Sequence, residues 1–288
     1  MKMNEEMTKL HMGSVPYITF PLLEEIEMIK HGFSTRLGGV SSGIYTSMNL
    51  DFRCSEPGEN VWENYRRMAG ALGLSMDDLV LSAQTHTTNV RRMTRDDRGK
   101  GFIHPRDYTD VDGMITNEPD IVLVGLFADC VPLFFVDPMH RAIGLSHAGW
   151  RGTAGRIAEK TVRAMQREFG TNPEELVCAV GPSICRSCYE VSGDVADVFR
   201  TMFSCDTRTE YRSYAGRTAE DVVTEKENGK YLADLKLANA LILRESGVPE
   251  EQIAVTNLCT SCRSDLLWSH RATHGNRGEM AAFLALSV

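Results

Sequence analysis

The chain has 288 residues, with 31 basic against 39 acidic side chains and a formal net charge of −8. An acidic surplus argues against a general nucleic-acid binder, which needs Lys and Arg to neutralise phosphates. The balance of 42% hydrophobic and 24% charged residues is that of a globular protein, and no run reaches the roughly eighteen apolar residues of a helical membrane span. Met1–Met12 is polar and lacks the apolar stretch of a secretion signal, so a cytoplasmic enzyme is expected. Without such a signal, the 8 cysteines read as thiols or metal ligands rather than a disulfide framework.

Residues 1–15 read as a loose tail and 16–288 as one domain. A short strand is expected at His31–Arg36, followed by a Gly-rich loop over 37–43. Val61, Tyr65, Met68 and Leu72 recur at helical spacing, so a helix spans Asn60–Leu72 and stops at Gly73. Leu79–Ala83 is a β-type run leading into Gln84-Thr85-His86, and residues 94–110 form a loop or lid. Ile121–Phe127 reads as a buried strand. Leu133–Val136 and Ala142–Ser146 flank the turn Asp137-Pro138-Met139-His140, a hairpin signature. A helix with Ala154, Ile157, Ala158, Thr161, Met165 and Phe169 inward ends at Gly170. A strand at Val177–Val180, a polar excursion over 206–228, a helix at Leu232–Ser246 and a strand at Ile253–Thr256 complete the pattern. Alternating strands and helices with an antiparallel hairpin predict a mixed α/β sheet.

The hairpin brings chemistry together. A turn centred on Pro138–Met139 sets Val136 opposite Arg141, Leu133 opposite Gly144 and Cys130 opposite His147. Directly opposed side chains have Cβ atoms about 5 Å apart, so this pair can share a metal ion or act as a Cys–His nucleophile pair. His86, at the end of a strand, is the natural third ligand. A thiolate with two imidazoles favours zinc, with copper as the alternative. A set of three protein ligands leaves one tetrahedral position open, as catalytic zinc sites do. The ordinary alternative is a buried thiol beside unrelated histidines.

The run Gly149-Trp150-Arg151-Gly152-Thr153-Ala154-Gly155 precedes a helix, where backbone N–H groups can meet an anion. Arg151 adds a full charge there and Arg36 a second arm; the plainer alternative is a tight strand-to-helix turn. Asp129, beside Cys130, can orient a ligand or move a proton, and Asp112 is a second acidic candidate. Gln84 and Asn49 are candidate polar substrate contacts. Two Cys-x-x-Cys pairs, Cys185/Cys188 and Cys259/Cys262, can make a Cys₄ knuckle. The long gap between them favours partly buried thiols instead.

These segments resemble one family: the multicopper polyphenol oxidase or laccase domain proteins, now described as multifunctional purine nucleoside enzymes. The matching stretches include His31-Gly-Phe-Ser-Thr-Arg36, Met48-Asn49-Leu50, Gln84-Thr85-His86, Asp110-Val-Asp112-Gly113, Ala128-Asp129-Cys130-Val-Pro132 and His147-Ala-Gly-Trp-Arg-Gly-Thr153. Gly181-Pro182-Ser-Ile184, Cys188-Tyr-Glu-Val191, Cys259-Thr260 and Ser269-His-Arg271 continue the match. The resemblance implies one layered α/β/β/α domain and zinc ligands His86, Cys130 and His147. It implies purine nucleosides and phosphate as small-molecule partners. The implied activities are phosphorolysis of adenosine, inosine, guanosine and S-methyl-5′-thioadenosine, and deamination of adenosine. Arg36, Arg151 and Arg271 are then expected at substrate or phosphate. Where the family has Thr-Gly-Arg, this chain reads Arg277-Gly278-Glu279, which puts that arginine's role in doubt or moves it to Arg277.

Two rival activities remain. A Cys–His amidase would use Cys130 as nucleophile and His147 as base, acting on peptidoglycan precursors. A copper-dependent polyphenol oxidase would need several His-x-His pairs, and none of the 8 histidines lie two apart.

Overall fold

Four runs, Val122–Phe127, Val131–Asp137, Ala142–Ala148 and Met280–Leu286, are buried at every position. A strand buried on both faces needs cover above and below, so these runs belong at the centre of a layered structure. The computed structural model describes residues 7–204 and 213–287. In chain order its first strands are β1 (Lys9–His11), β2 (Tyr17–Thr19), β3 (Ile29–Ser34), β4 (Leu79–Leu81), β5 (Val90–Arg92), β6 (Gly113–Thr116), β7 (Val122–Phe127) and β8 (Val131–Asp137). Then come β9 (Ala142–Ala148), β10 (Val177–Val180), β11 (Glu190–Val191), β12 (Ser213–Tyr214), β13 (Arg217–Thr218), β14 (Val223–Glu225), β15 (Tyr231–Ala233), β16 (Ile253–Val255) and β17 (Met280–Leu286). The helices are α1 (Pro21–Glu24), α2 (Gly58–Leu72), α3 (Trp150–Ala154), α4 (Ile157–Phe169), α5 (Gly193–Ser204) and α6 (Leu235–Glu245).

Two six-stranded mixed sheets result, ordered β1-β2-β3-β17-β7-β4 and β16-β10-β8-β9-β6-β5. Period-two alternation assigns each face to a layer. Leu284 and Ala282 of β17 meet Phe134 and Val136 of β8 and Ile143 and Leu145 of β9 between the sheets. The alternate residues of β17, Ala281 and Phe283, pack under Val61, Tyr65 and Met68 of α2. Leu133 and Phe135 of β8 face α4 and α6 through Met165 and Leu241. The stack is α/β/β/α in a single domain, as the motifs implied.

The strand pairing departs from expectation in one instructive way. The β8–β9 loop has four residues rather than two, so Leu133 pairs with Ser146 and Pro132, not Cys130, lies opposite His147. The partner of each residue is displaced by two positions, which preserves the face of every side chain. Cys130 and His147 are therefore diagonal neighbours on the same side instead of a direct pair, still within reach.

Other differences have local causes. The helix expected through Ala154 is two, α3 and α4, because Arg156 takes a left-handed conformation at φ 60°. The later helix begins at Leu235, not Leu232: Asp234 caps it by accepting from the Leu237 N–H, and Leu232 belongs to β15. The C-terminal strand β17, at the centre of its sheet between β3 and β7, was not anticipated. Part of the expected tail, Lys9–His11, pairs with β2, while residues 1–6 lie outside the described residues. Cys205 and positions 206–212 of the polar excursion also lie outside them.

His31 on β3 has a structural duty. Its Nε2 accepts the Phe20 N–H at 2.9 Å, which requires the neutral ring. Burial pushes its pKa down to about 4, against a smaller opposing pull from Glu24. The unfolded chain thus binds this proton more readily than the folded one, so stability rises with pH across the window from about 4 to 6.5. Urea denaturation at several pH values is expected to give a falling stability below pH ~6.5, and His31→Gln should flatten that part of the slope. An unchanged slope in the variant would remove His31 as its source.

Candidate metal centre and its surroundings

β7 belongs to one sheet and β8 to the other, so the chain must cross between sheets over Ala128-Asp129-Cys130. Asp129 makes that crossing tight with φ at 85°. Cys130 follows at the edge of the inter-sheet layer, against its apolar residues. His147 comes from the neighbouring end of β9 and packs 5.5 Å from the ring of Phe127. His86 is carried by the loop after β4, in a left-handed conformation at φ 66°. The ligand atoms of His86, Cys130 and His147 all lie within 4.8 Å of one another. The expected trio is assembled.

Asp112, just before β6, organises it. One carboxylate oxygen accepts the Thr85 and Thr87 N–H groups at 2.9 and 3.0 Å. The other accepts the His86 N–H at 3.1 Å and the His147 Nδ1–H at 2.8 Å. Burial alone would raise the Asp112 pKa, but the His147 bond and the backbone donors hold it below the usual carboxylate range. Since the carboxylate takes the proton on Nδ1, Nε2 is the nitrogen of His147 left for ligation. Burial also opposes charge on Cys130 and His147, yet each supplies the opposite charge. The thiol falls to about 6 and the imidazole rises to about 10.

The donor set fits a borderline-soft divalent ion: one thiolate and two imidazoles, with a buried carboxylate behind one of them. Gly149 makes the cradle possible. A Cβ there would stand 2.9 Å from His86 Cδ2 and 3.1 Å from Cys130 Sγ. His86 is exposed while His147 is buried, so solvent reaches the trio from the His86 side.

The other expected site residues divide into two groups. Arg271 is tied to the residue beside Cys130: its backbone N–H donates to Asp129 at 2.7 Å, while its guanidinium lies 5.4 Å over Tyr189 and donates to the Cys188 and Glu190 carbonyls. Burial, Cys130 and Asp129 raise the Tyr189 pKa to about 12, against Arg271 and Arg151. Tyr189 was not anticipated, although the Cys188-Tyr-Glu run was visible. Asp129 serves Thr260 and Arg271 rather than a metal ligand: Thr260 Oγ1 donates to it at 2.6 Å. The orienting role belongs to Asp112.

Arg36 and Asn49 are committed within the fold. The Arg36 guanidinium lies 3.8 Å over Trp268 and donates to the Ser264 and Thr46 carbonyls. Asn49 is fully buried, donating to Glu56 at 2.8 Å and accepting from the Asp51 and Glu279 N–H groups. Arg277 pairs with Glu279 at 2.7 Å. The Gly-rich anion loop is instead the short helix α3, whose Thr153 and Gly155 N–H groups bond to the Gly149 and Arg151 carbonyls. Arg151 itself, 4.4 Å over Trp150, remains exposed.

A cleft of about 440 Å³ adjoins the centre, walled by Phe52, Trp62, Phe102 and Tyr108 and reaching Gln84, Thr85 and Asp110. The trio itself does not line it; the link is Thr85, one residue before His86. Gln84 sets the floor by bonding both ways to the Leu126 backbone, at 2.7 and 2.8 Å.

The family described as multi-copper polyphenol oxidoreductase laccase matches residues 30–287. The chain belongs to that family. It is 36% identical over 260 residues to purine nucleoside phosphorylase YlmD of Bacillus subtilis, covering 88% of this chain and 87% of that one. Its fold superposes on the crystal structure of YlmD from Geobacillus stearothermophilus with a TM-score of 0.85 at 33% identity, covering 97% of this chain and 99% of that one. A Bacillus licheniformis protein, YfiH, gives a TM-score of 0.87 at 31% identity, covering 98% and 100%.

Two substitutions test how the centre is held. Gly149→Ala is expected to abolish metal retention at the trio with little loss of secondary structure. Asp112→Asn should weaken metal affinity by about 10–100-fold, because it removes the partner that orients His147. Metal-buffered titration measures both, and wild-type affinity in Asp112→Asn would deny the carboxylate its organising role.

Proposed function

We propose that the chain is a metal-dependent purine nucleoside phosphorylase that also deaminates adenosine, with zinc as the ion held by His86, Cys130 and His147. The observation that carries this reading is the trio backed by Asp112, in a chain 36% identical over most of its length to a protein named as a purine nucleoside phosphorylase. The nucleosides are adenosine, inosine, guanosine and S-methyl-5′-thioadenosine.

In phosphorolysis a phosphate oxygen bonds to the ribose C1′, and the C1′–N9 bond breaks with its electron pair leaving on the purine. Arg151, which is exposed, and Arg271, whose guanidinium uses only part of its five donors on the Cys188 and Glu190 carbonyls, supply the positive charge that holds a phosphate near Cys130. Asp129 positions Arg271 through the backbone bond at 2.7 Å. The aromatic cleft beside Thr85 suits a flat purine, with polar anchors at its floor. Phe127 and the inter-sheet layer exclude water behind His147. When bound, the ion supplies Lewis acidity next to the reacting nucleoside. Deamination replaces the C6 amino group with a water oxygen and releases ammonia, so it needs no phosphate.

One observation favours a second reading. Asp112, His147 and Cys130 are arranged in the order of a nucleophile triad, with the carboxylate 2.8 Å from Nδ1 of the base. That arrangement suits a Cys–His amidase.

Chromatography of products from metal-quantified protein and adenosine distinguishes the two. Phosphate-dependent adenine and phosphate-independent inosine are expected, both lost in Cys130→Ala. Arg151→Ala should raise the KM for phosphate by about 10–100-fold, the loss of one charge-assisted contact. No product at full metal occupancy would sink the nucleoside reading, and alkylation-sensitive amide hydrolysis would replace it with the triad.

A further inference from the structure

Away from the trio, four sulfurs converge. Cys185 and Cys188 flank a single tight turn between β10 and β11, and Cys259 and Cys262 lie on the turns after β16. Backbone pairing forces the two segments together: Ser183 bridges Cys259, and the Thr260 N–H donates to the Ser183 carbonyl at 3.2 Å. The four sulfurs all lie within 4.8 Å of one another. Seventy-odd residues of intervening chain conceal this in the sequence.

Three observations specify what the cluster is for. First, Cys262 Sγ is 3.4 Å from Cys188 Sγ and 3.9 Å from Cys185 Sγ. Tetrahedral zinc with Zn–S bonds near 2.3 Å separates its sulfurs by about 3.8 Å, a spacing between these two distances. The sulfurs thus surround one point instead of forming two separate pairs. Second, Cys259 Sγ accepts backbone N–H groups from Cys185 at 3.2 Å and Cys262 at 3.4 Å. Such donors stabilise a thiolate, the form that ligates metal. Third, four thiolates around a divalent ion carry a net double negative charge that needs a counter-charge. Lys236 offsets part of it: it is buried and donates to the Leu258 carbonyl, next to Cys259, at 3.0 Å.

We propose that Cys185, Cys188, Cys259 and Cys262 form a closed tetrathiolate site that holds one structural zinc ion, separate from the His86–Cys130–His147 centre. Four sulfur ligands fill the tetrahedron, so the site has no open position for substrate. Its work is mechanical. The ion ties the β10–β11 connection to the segment that carries Thr260 and Arg271. Thr260 holds Asp129, and Arg271 reaches back to the Cys188 and Glu190 carbonyls. The ion therefore braces the backbone around Arg271, the arginine given to phosphate under the nucleoside reading. Binding displaces the protons of the thiols still protonated, and no electron transfer is involved.

The test uses the full chain purified under reducing, chelator-free conditions. Elemental analysis is expected to find two zinc ions per wild-type chain and one in Cys130→Ala. The same Cys130→Ala protein, loaded with cobalt, should give the ligand-field and thiolate charge-transfer absorption of tetrahedral cobalt with four sulfurs. Cys185→Ser/Cys262→Ser should retain the trio's ion and lose the second. If that double variant does not fold, thiol titration of Cys130→Ala with a mercurial decides: release of one zinc in step with four thiols supports the site. A Cys130→Ala protein with no zinc and no sulfur-ligated cobalt spectrum overturns it. So does an intact mass showing that these cysteines are paired as disulfides before any treatment.

Discussion

Much of this protein's chemistry depends on one buried carboxylate. Asp112 stands just before β6 and accepts from the loop after β4 and from β9, so it joins both sheets at the end where they meet. Its charge is tolerated in the interior because three backbone donors and an imidazolium or imidazole N–H satisfy it. The same bonds choose the ring nitrogen that His147 offers and curl residues 85–87 so that His86 points to Cys130. A single group thereby fixes two distant segments, residues 85–87 and β9, against each other.

The layered architecture explains why the centre is where it is. Two sheets packed face to face leave few ways for the chain to pass between them, and the β7–β8 crossing is one. It must turn sharply at the rim, where Asp129 adopts φ 85° and Cys130 is half-exposed. A thiol placed there is supported from below by the apolar layer and open above, which is how a reactive centre is made rigid without being sealed. The glycine at 149 completes the geometry, since any side chain would occupy the space between His86 and Cys130.

Within this frame the arginines have separate duties. Arg36 stacks on Trp268 and ties residues 36, 46 and 264 together, a structural use of a planar cation. Arg53 and Arg277 share the Glu279 carboxylate and secure the start of the last strand. Arg151 is exposed over Trp150, and Arg271 lies over Tyr189 while clasping the Cys188 and Glu190 carbonyls. Arginine in this chain thus often serves as a clasp for backbone and carboxylate groups.

Local patterns in the sequence determined many of the elements and singled out His86, Cys130 and His147 as candidate ligands. Periodicity marked α2 and α4, Gly73 and Gly170 marked their ends, and the Asp-Pro-Met-His turn joined β8 to β9 with the correct faces. Face is a local property with period two, so a pairing misplaced by two residues still delivered Cys130 and His147 to one side. Only the tertiary structure decided which carboxylate orients the histidine. Asp129 is adjacent to Cys130 in sequence, but its oxygens face Thr260 and the Arg271 backbone. It also decided that Asn49 is a buried joint, that Met280–Leu286 is a central strand, and that four cysteines in two remote pairs share one point. Each of these depends on contacts between residues dozens to hundreds of positions apart, where spacing along the chain carries no information about distance in space.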